Sequence, residues 1–237
     1  MTPVRNFAMF LFSSSLLLFG CEETSSTATE DAPAENEVVW TTLFDGTNLD
    51  SWRNYRQDTI SDAWKIEEGV LVMSGPGAGD IVTKDEYESF ELELEWKISE
   101  AGNSGIFFHV AEADSLGAVY ATGPEMQILD DERHPDGKLL TRRSGANYDM
   151  QPCAVVTVKP VGEWNKVRLI VNNGHVEHWL NDQKVVDYVL GSPEWQAELA
   201  KSKFADWSAY GRAGKGHIAL QDHGDLVWFR NIRVRTL

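Results

Sequence analysis

The 237-residue sequence predicts an all-β protein, a β-sandwich or jelly roll with one short helix, on three grounds. Apolar and polar residues alternate strictly in several stretches, the period of a strand with one buried and one wet face. Pairs of turn-forming residues punctuate these stretches. Only one segment carries helix start signals, and no internal repeat stands at a fixed spacing.

In chain order, the first twenty residues stand apart from the fold. Arg5 precedes an apolar run from Phe7 to Phe19, broken only by Ser13 to Ser15. At about thirteen residues it is too short to span a bilayer as a helix and fits a secretory signal. Leu18-Phe19-Gly20-Cys21 is similar to a bacterial lipoprotein cleavage site, with Cys21 as the acylated first residue of the mature chain. Residues 22–37 hold six carboxylates, no basic residue and no large apolar residue. Nothing there can repay the entropy of ordering, so 21–37 reads as a disordered acidic tether. Glu22-Glu23 resembles the signal that sends some Gram-negative lipoproteins to the outer face of the outer membrane. The expected location is therefore the cell envelope, on the periplasmic or surface side of the outer membrane.

Residues 38–237 suit one β-sandwich domain. Short strands are expected at 64–66 and 70–73. Residues 90–98 alternate without a fault: Phe90, Leu92, Leu94, Trp96 and Ile98 point one way, and Glu91, Glu93, Glu95 and Lys97 the other. Strands at 106–110 and 126–129 follow. Residues 167–188 read as a three-stranded meander, with Asn173-Gly174 and Asn181-Asp182 supplying the left-handed positions of tight hairpins. Ser192 as N-cap, Pro193 in the first turn and Glu194 facing the helix dipole start a helix over 192–201. Two last strands, 218–221 and 227–234, are joined by a polar turn. Of the nine Trp, Trp96, Trp164, Trp179 and Trp228 are expected to be buried.

A formal net charge of −16 repels nucleic acid and anionic lipid surfaces alike, so membrane contact would come from the lipid on Cys21 alone. With Cys21 acylated, Cys153 is the remaining thiol, which excludes an intramolecular disulfide and a Cys-based metal cluster.

The chemistry-bearing residues gather in three stretches. In 125–130 (Glu-Met-Gln-Ile-Leu-Asp) alternation puts Glu125 and Gln127 on one face with Met126 and Ile128 behind. Asp130 would join them only through a bulge. The spacing resembles the acidic strand of jelly-roll glucanases, but Gln127 stands in the middle and Asp130 last, so the two-carboxylate set of ordinary glycoside hydrolysis is not reproduced. In 101–109, Gly102 and Gly105 allow a tight turn presenting Asn103 and Ser104, and His109 points to one face of the next strand, beside Glu125 and Gln127. Gln221, Asp222 and His223 close the penultimate strand. A polar, acid-rich site of this kind suits a sugar. His109, His223, Asp222 and Asp130 lack compact metal-ligand spacing, so no metal and no cofactor are expected. No Gly-x-Ser-x-Gly elbow and no phosphate loop occur.

Taken together, 42–52, 102–106, 125–130, 145–149, 162–165, 178–181 and 216–232 resemble the 3-keto-disaccharide hydrolase domain family, common among bacterial lipoproteins. Asn147 stands where that family usually has an aliphatic residue, which would alter the substrate pocket, and Asp182 where Gly is usual, which would alter a turn. The resemblance implies a concanavalin A-like jelly roll acting on sugars already oxidised at C3, and hence a sugar 3-dehydrogenase upstream. A C3 ketone acidifies the C2 proton, so one base can start elimination of the C1 substituent, and later hydration gives net hydrolysis. Under that chemistry Glu125 or His109 is the base and the other the acid. Asn103, Gln127, Asp130, Arg143, Tyr148, Gln221 and His223 would hold hydroxyls or the enolate oxygen. A non-catalytic glycan-binding module and a conventional glycoside hydrolase are the competing readings.

Overall fold

Two antiparallel sheets stack face to face in the structure, a computed structural model whose described residues are 39–237. The expected signal at 1–20 and the Cys21 tether lie outside the described residues. The larger sheet contains β1 (Thr41–Phe44), β3 (Trp64–Glu67), β4 (Val70–Met73), β6 (Phe90–Ile98), the meander β9 (Asn165–Asn172), β10 (His175–Leu180) and β11 (Gln183–Val189), and β13 (Val227–Thr236). Its order is β11-β10-β9-β6-β13-β4-β3, with β1 pairing beside β4 on β13. The smaller sheet contains β2 (Trp52–Asn54), β5 (Ile81–Thr83), β7 (Asn103–Val110), β8 (Glu125–Leu129) and β12 (His217–Leu220), in the order β2-β5-β12-β7-β8. The helix α1 (Pro193–Leu199) follows β11.

The core lies between the sheets because alternation holds on both. Phe90, Leu92, Leu94, Trp96 and Ile98 of β6 meet Ile106, Phe108, Met126, Ile128, Ile218 and Leu220 of the smaller sheet in one apolar cluster. Burying each such side chain contributes about 1.5–3 kcal/mol. The opposite face of β6 is less wet than its glutamates suggest. Arg230 donates to Glu95 (Nε–Oε2 3.0 Å), Arg233 to Glu93 (Nε–Oε2 2.8 Å), and Arg168 and Arg235 both pair with Glu91. Cross-strand register places Arg230, Arg233 and Arg235 directly opposite their glutamates and Arg168 diagonal to Glu91, positions from which such pairs stabilise a sheet.

The meander turns as expected. Asn173 and Gly174, and Asn181 and Asp182, all have positive φ, the geometry of two-residue hairpins with type I′ turns. Asp182 holds this conformation (φ 64°) in place of glycine. Helix α1 is capped by Ser192, whose Oγ accepts from the Trp195 amide at 3.1 Å.

The last two strands are joined by a polar turn as expected, and at 221–226 this turn crosses from one sheet to the other: β12 pairs with β5 and β7, β13 with β6, β4 and β1. Two expectations are corrected. Gly102 and Gly105 do not make a tight turn presenting Ser104; residues 103–110 are all strand, and Ser104 points inward, donating to the Gln221 carbonyl at 2.9 Å. Of the four tryptophans expected inside, only Trp96 is fully buried. Trp164, Trp179 and Trp228 lie half-buried, with Arg230 4.1 Å from the Trp164 ring centre, Arg168 5.3 Å from Trp179 and Lys97 4.5 Å from Trp228. Cations on long apolar stems shield these indoles in place of the core.

Candidate active site

The smaller sheet turns its second face outward, and register decides what stands there. Gly105 pairs with Gln127 and Phe107 with Glu125, while the Gln221 amide donates to the Gly105 carbonyl at 3.0 Å. Paired residues share a face, so Asn103, Gly105, Glu125, Gln127 and Gln221 come together on three neighbouring strands. Of these, Asn103, Glu125, Gln127 and Gln221 line a cavity of about 340 Å³ with Tyr120, Tyr148, Lys203, Trp207 and His223, a volume at the small-ligand end of binding pockets.

Gly105 makes room for the carboxylate. A Cβ at this position would overlap Glu125 Oε1 and come within 2.9 Å of Glu125 Cδ. With only 5% of its surface exposed, Glu125 is held largely out of water. Burial pushes its pKa up to about 8 against the pull of Lys203, with Asp80 and Asp136 adding to the rise. Burial in turn lowers the Lys203 pKa, partly offset by Glu125 and Asp149. A carboxyl that titrates near neutral pH is suited to proton transfer.

Segment 145–148 runs along β8 like a further strand. The Gln127 amide donates to Ala146, Gly145 to Gln127 and Tyr148 to the Glu125 carbonyl, at 3.1, 2.8 and 3.1 Å. This brings Tyr148 beside Glu125. The Tyr148 hydroxyl donates to Asp136 at 2.8 Å, and Arg142 ties Asp136 to Asp149. Burial and Asp136 raise the Tyr148 pKa, so this phenol orients and does not ionise. Lys203 arrives from the far side. Its amide donates to Asp149 at 2.8 Å, and its Nζ lies 4.2 Å from the Tyr148 ring centre. Gln221 Oε1 is buried without a protein partner, and the Gln127 Oε1 accepts from the Ile128 amide at 3.0 Å.

Five of the residues expected in a site with Glu125 are therefore brought together with it: Asn103, Gln127, Tyr148, Gln221 and His223. His109, Asp130 and Arg143 are not. Between Phe107 and Val110 the strand β7 bulges, three steps against two from Ala219 to His217 on β12. The extra residue flips parity: Val110 joins Phe107 and Ala219 on the outer face. His109, at φ 51°, turns inward between Phe90 and Phe108, with Nε2 2.8 Å from the Glu88 carbonyl. Burial lowers its pKa.

No register shift accompanies β8, so Asp130 does not join the polar face. Its carboxylate accepts from the Ala101, Glu132 and Arg133 amides and organises two loops. Arg143 donates to the Gly137 carbonyl at 2.7 Å in the neighbouring loop. Asn147 is buried behind the cavity, bridged to Met126, and lines a different one. That larger space, about 710 Å³ between α1 and β11, contains Met150, Tyr188 and Trp195. The carboxyl that burial raises toward neutral pH, Glu125, lines the smaller cavity, and chemistry outranks volume here. His175, Glu177 and Asp187 have metal-ligand proximity, but they stand on the β10–β11 hairpin and Lys184 already binds both carboxylates.

Lys203, Tyr120 and Trp207 were not legible as site residues. Lys203 follows a helix in a Lys-Ser-Lys stretch that reads as a solvated end, Tyr120 sits in a three-residue 3₁₀ turn, and Trp207 sits in an irregular loop, neither aromatic belonging to a periodic pattern.

A β-sandwich whose cavity sets one buried carboxyl of raised pKa among amides, aromatics and a lysine is that of a carbohydrate-active protein. Its family is clear from comparison: the chain belongs to the 3-keto-alpha-glucoside-1,2-lyase-like domain family, whose model matches residues 39–235. A 3-keto-disaccharide hydrolase of Bacteroides thetaiotaomicron is 40% identical over 225 aligned positions, covering 83% of this chain and 78% of the relative. Among solved structures, a protein of Parabacteroides distasonis assigned as a glycosyl hydrolase is 33% identical with a TM-score of 0.78, covering 84% of this chain and 94% of its own. A second such protein from the same organism is 31% identical with a TM-score of 0.63, covering 84% and 100%. A Bacillus subtilis protein with a galectin-like fold, 14% identical with a TM-score of 0.54 over 84% of this chain and 94% of its own, shares the architecture.

Proposed function

We propose that this protein is an enzyme that cleaves 3-keto-glycosides, with Glu125 as the base. The observation that carries the reading is the acid inventory of the cavity: among the described residues lining it, Glu125 is the one carboxylate. Hydrolysis through an oxocarbenium ion needs two carboxyl groups flanking the bond. A 3-keto sugar needs one base. Glu125 takes the C2 proton, the electron pair moves into the C3 carbonyl as an enolate, and the C1–O bond then breaks. The departing oxygen takes a proton and leaves a C1–C2 double bond. Addition of water across that bond converts the elimination into net hydrolysis.

Lys203 takes the part of enolate stabiliser, since it lines the cavity with its Nζ 4.2 Å from the Tyr148 ring centre, and a fixed cation beside developing negative charge favours the enolate. With His109 turned inward, proton return to the leaving group falls to Glu125 itself, which holds a proton after the first step. Asn103, Gln127, Gln221 and His223 bind the sugar hydroxyls, and Tyr148 packs beside Glu125 and Lys203. The substrate is supplied by a sugar 3-dehydrogenase, because the ketone must exist before Glu125 can act. The sequence at 18–21 supports acylation of Cys21, and with it a place on the periplasmic or surface side of the outer membrane.

Residues 38–237 incubated with a glucoside and with its 3-keto form test the reading. Release of the leaving group from the 3-keto form alone is expected. Equal turnover of both would point to a conventional glycosidase, and binding without turnover to a lectin-like module.

A further inference from the structure

The cavity has two unlike ends, and their order follows from strand register. On β7, Gly105 stands at the level of the amides Gln127 and Gln221, Asn103 lies two residues beyond them opposite Leu129, and Phe107 stands at the level of Glu125. From Asn103 to the Phe107–Glu125 level the strand rises about 13 Å. Beyond Glu125, β8 runs back into the short 3₁₀ turn Val119–Ala121, which presents Tyr120. The Gly211 amide donates to the Thr122 carbonyl at 2.7 Å, fastening the segment that carries Trp207 to the same end.

These two aromatics form the outermost step of an anchored stack. Trp195 and Tyr210 lie parallel at 6.3 Å, Tyr210 and Phe204 parallel at 4.0 Å, and Phe204 meets Trp207 edge-on at 5.1 Å. Trp207 then lies 5.8 Å from Tyr120. The inner members are buried, whereas Tyr120 remains 44% exposed and Trp207 half-buried, both at the cavity. A rim aromatic held rigid from behind loses little entropy when a ligand ring covers it, and an exposed apolar pair beside a polar cavity marks a binding surface.

We propose that Tyr120 and Trp207 form the leaving-group subsite, selecting glycosides whose departing group presents a flat apolar face, an aryl ring or a second pyranose. The inference rests on the 3-keto-glycoside reading for its orientation. The amide-rich end takes the hydroxyls of the oxidised ring, Glu125 lies at its C1–C2 bond, and the departing group extends over the aromatic rim. Tyr120 and Trp207 thus touch the part of the substrate that leaves and take no part in proton transfer.

The test compares kcat/KM for methyl, phenyl and glucosyl 3-keto-glucosides in the wild type, Tyr120→Ala and Trp207→Ala. The phenyl-to-methyl and glucosyl-to-methyl ratios are expected to fall about 10-fold in each variant, the equivalent of one aromatic contact. Unchanged ratios overturn the proposal, and a fall in one ratio alone identifies which ring the rim serves. Trp207 contacts the interior stack, so Tyr120→Ala, at an exposed ring, decides the matter if Trp207→Ala does not fold. A wild type that cleaves none of the three sinks the functional reading separately. Calorimetric affinities for the same ligands then judge the rim: a phenyl preference erased by Tyr120→Ala upholds it, and the absence of any preference overturns it.

Discussion

Glu125 shows how a single residue acquires chemistry from its surroundings. Its type and strand position were legible in the alternation of 125–130, but its pKa of about 8 comes from desolvation by segments distant in the chain. As the proposed base it must be ionised, so kcat/KM should rise with pH and level off above about 8. Glu125→Gln should lower turnover by about 10²- to 10⁴-fold. Stability runs the other way. The folded state holds this proton more tightly than the unfolded chain, whose carboxyl has the ordinary pKa of 4.5, so stability falls as pH rises from 4.5 through 8. Urea titrations should find Glu125→Gln more stable than wild type at pH 9, with the gap closing below pH 4.5; a constant gap would remove the charge explanation. His109→Ala gives the contrast. Its imidazole fills space between Phe90 and Phe108, so stability should fall by about 1–3 kcal/mol while the folded fraction keeps its rate.

Among the elements, β7 best separates what periodicity encodes from what it does not. Alternation correctly places Asn103, Gly105 and Phe107 on one face and Phe108 on the other, and then one bulge reverses the sides of His109 and Val110. Nothing in 107–110 (Phe-Phe-His-Val) marks that extra residue. The same strand supplies Gly105, which is not among the positive-φ glycines of the described residues. Alanine therefore fits the strand, but its Cβ needs the space of the Glu125 carboxylate. Gly105→Ala should cost at least about 10-fold in turnover, the scale of a misplaced acid–base group, with a Tm within a few degrees of wild type. Loss of folding instead would show that Glu125 cannot rotate away.

Over the whole molecule, the sandwich assembles one site from strands β7, β8 and β12, the 145–148 segment, and loops at 120 and 203–207. Among the described residues no helix is long and apolar enough to cross a membrane, and the net charge of −16 opposes an anionic surface. The proposed attachment thus depends on acyl chains at Cys21, two or more being needed for stable anchoring. Cys21→Ser should move the protein from the detergent-extracted membrane fraction to a soluble or unprocessed form, with residues 38–237 equally active alone. A processed Cys21→Ser protein that stays with membranes through a high-salt wash would mean that something other than lipid holds it.

By itself the sequence determined the β class, the 90–98 strand, the meander with its two left-handed turns, the Ser192 cap and the pairing of Glu125 with Gln127. Each depends on neighbours a few residues apart, where a period of two or a turn pair has one physical meaning. Tertiary structure alone decided that β12 and β13 belong to different sheets, that His109 and Asp130 face away from the cavity, and that Lys203, Tyr120 and Trp207 face into it. Those outcomes depend on where loops lead and on a single extra residue in one strand. The carboxyl's proton affinity was decided there too, because desolvation is set by whatever covers a group, and what covers Glu125 comes from far along the chain.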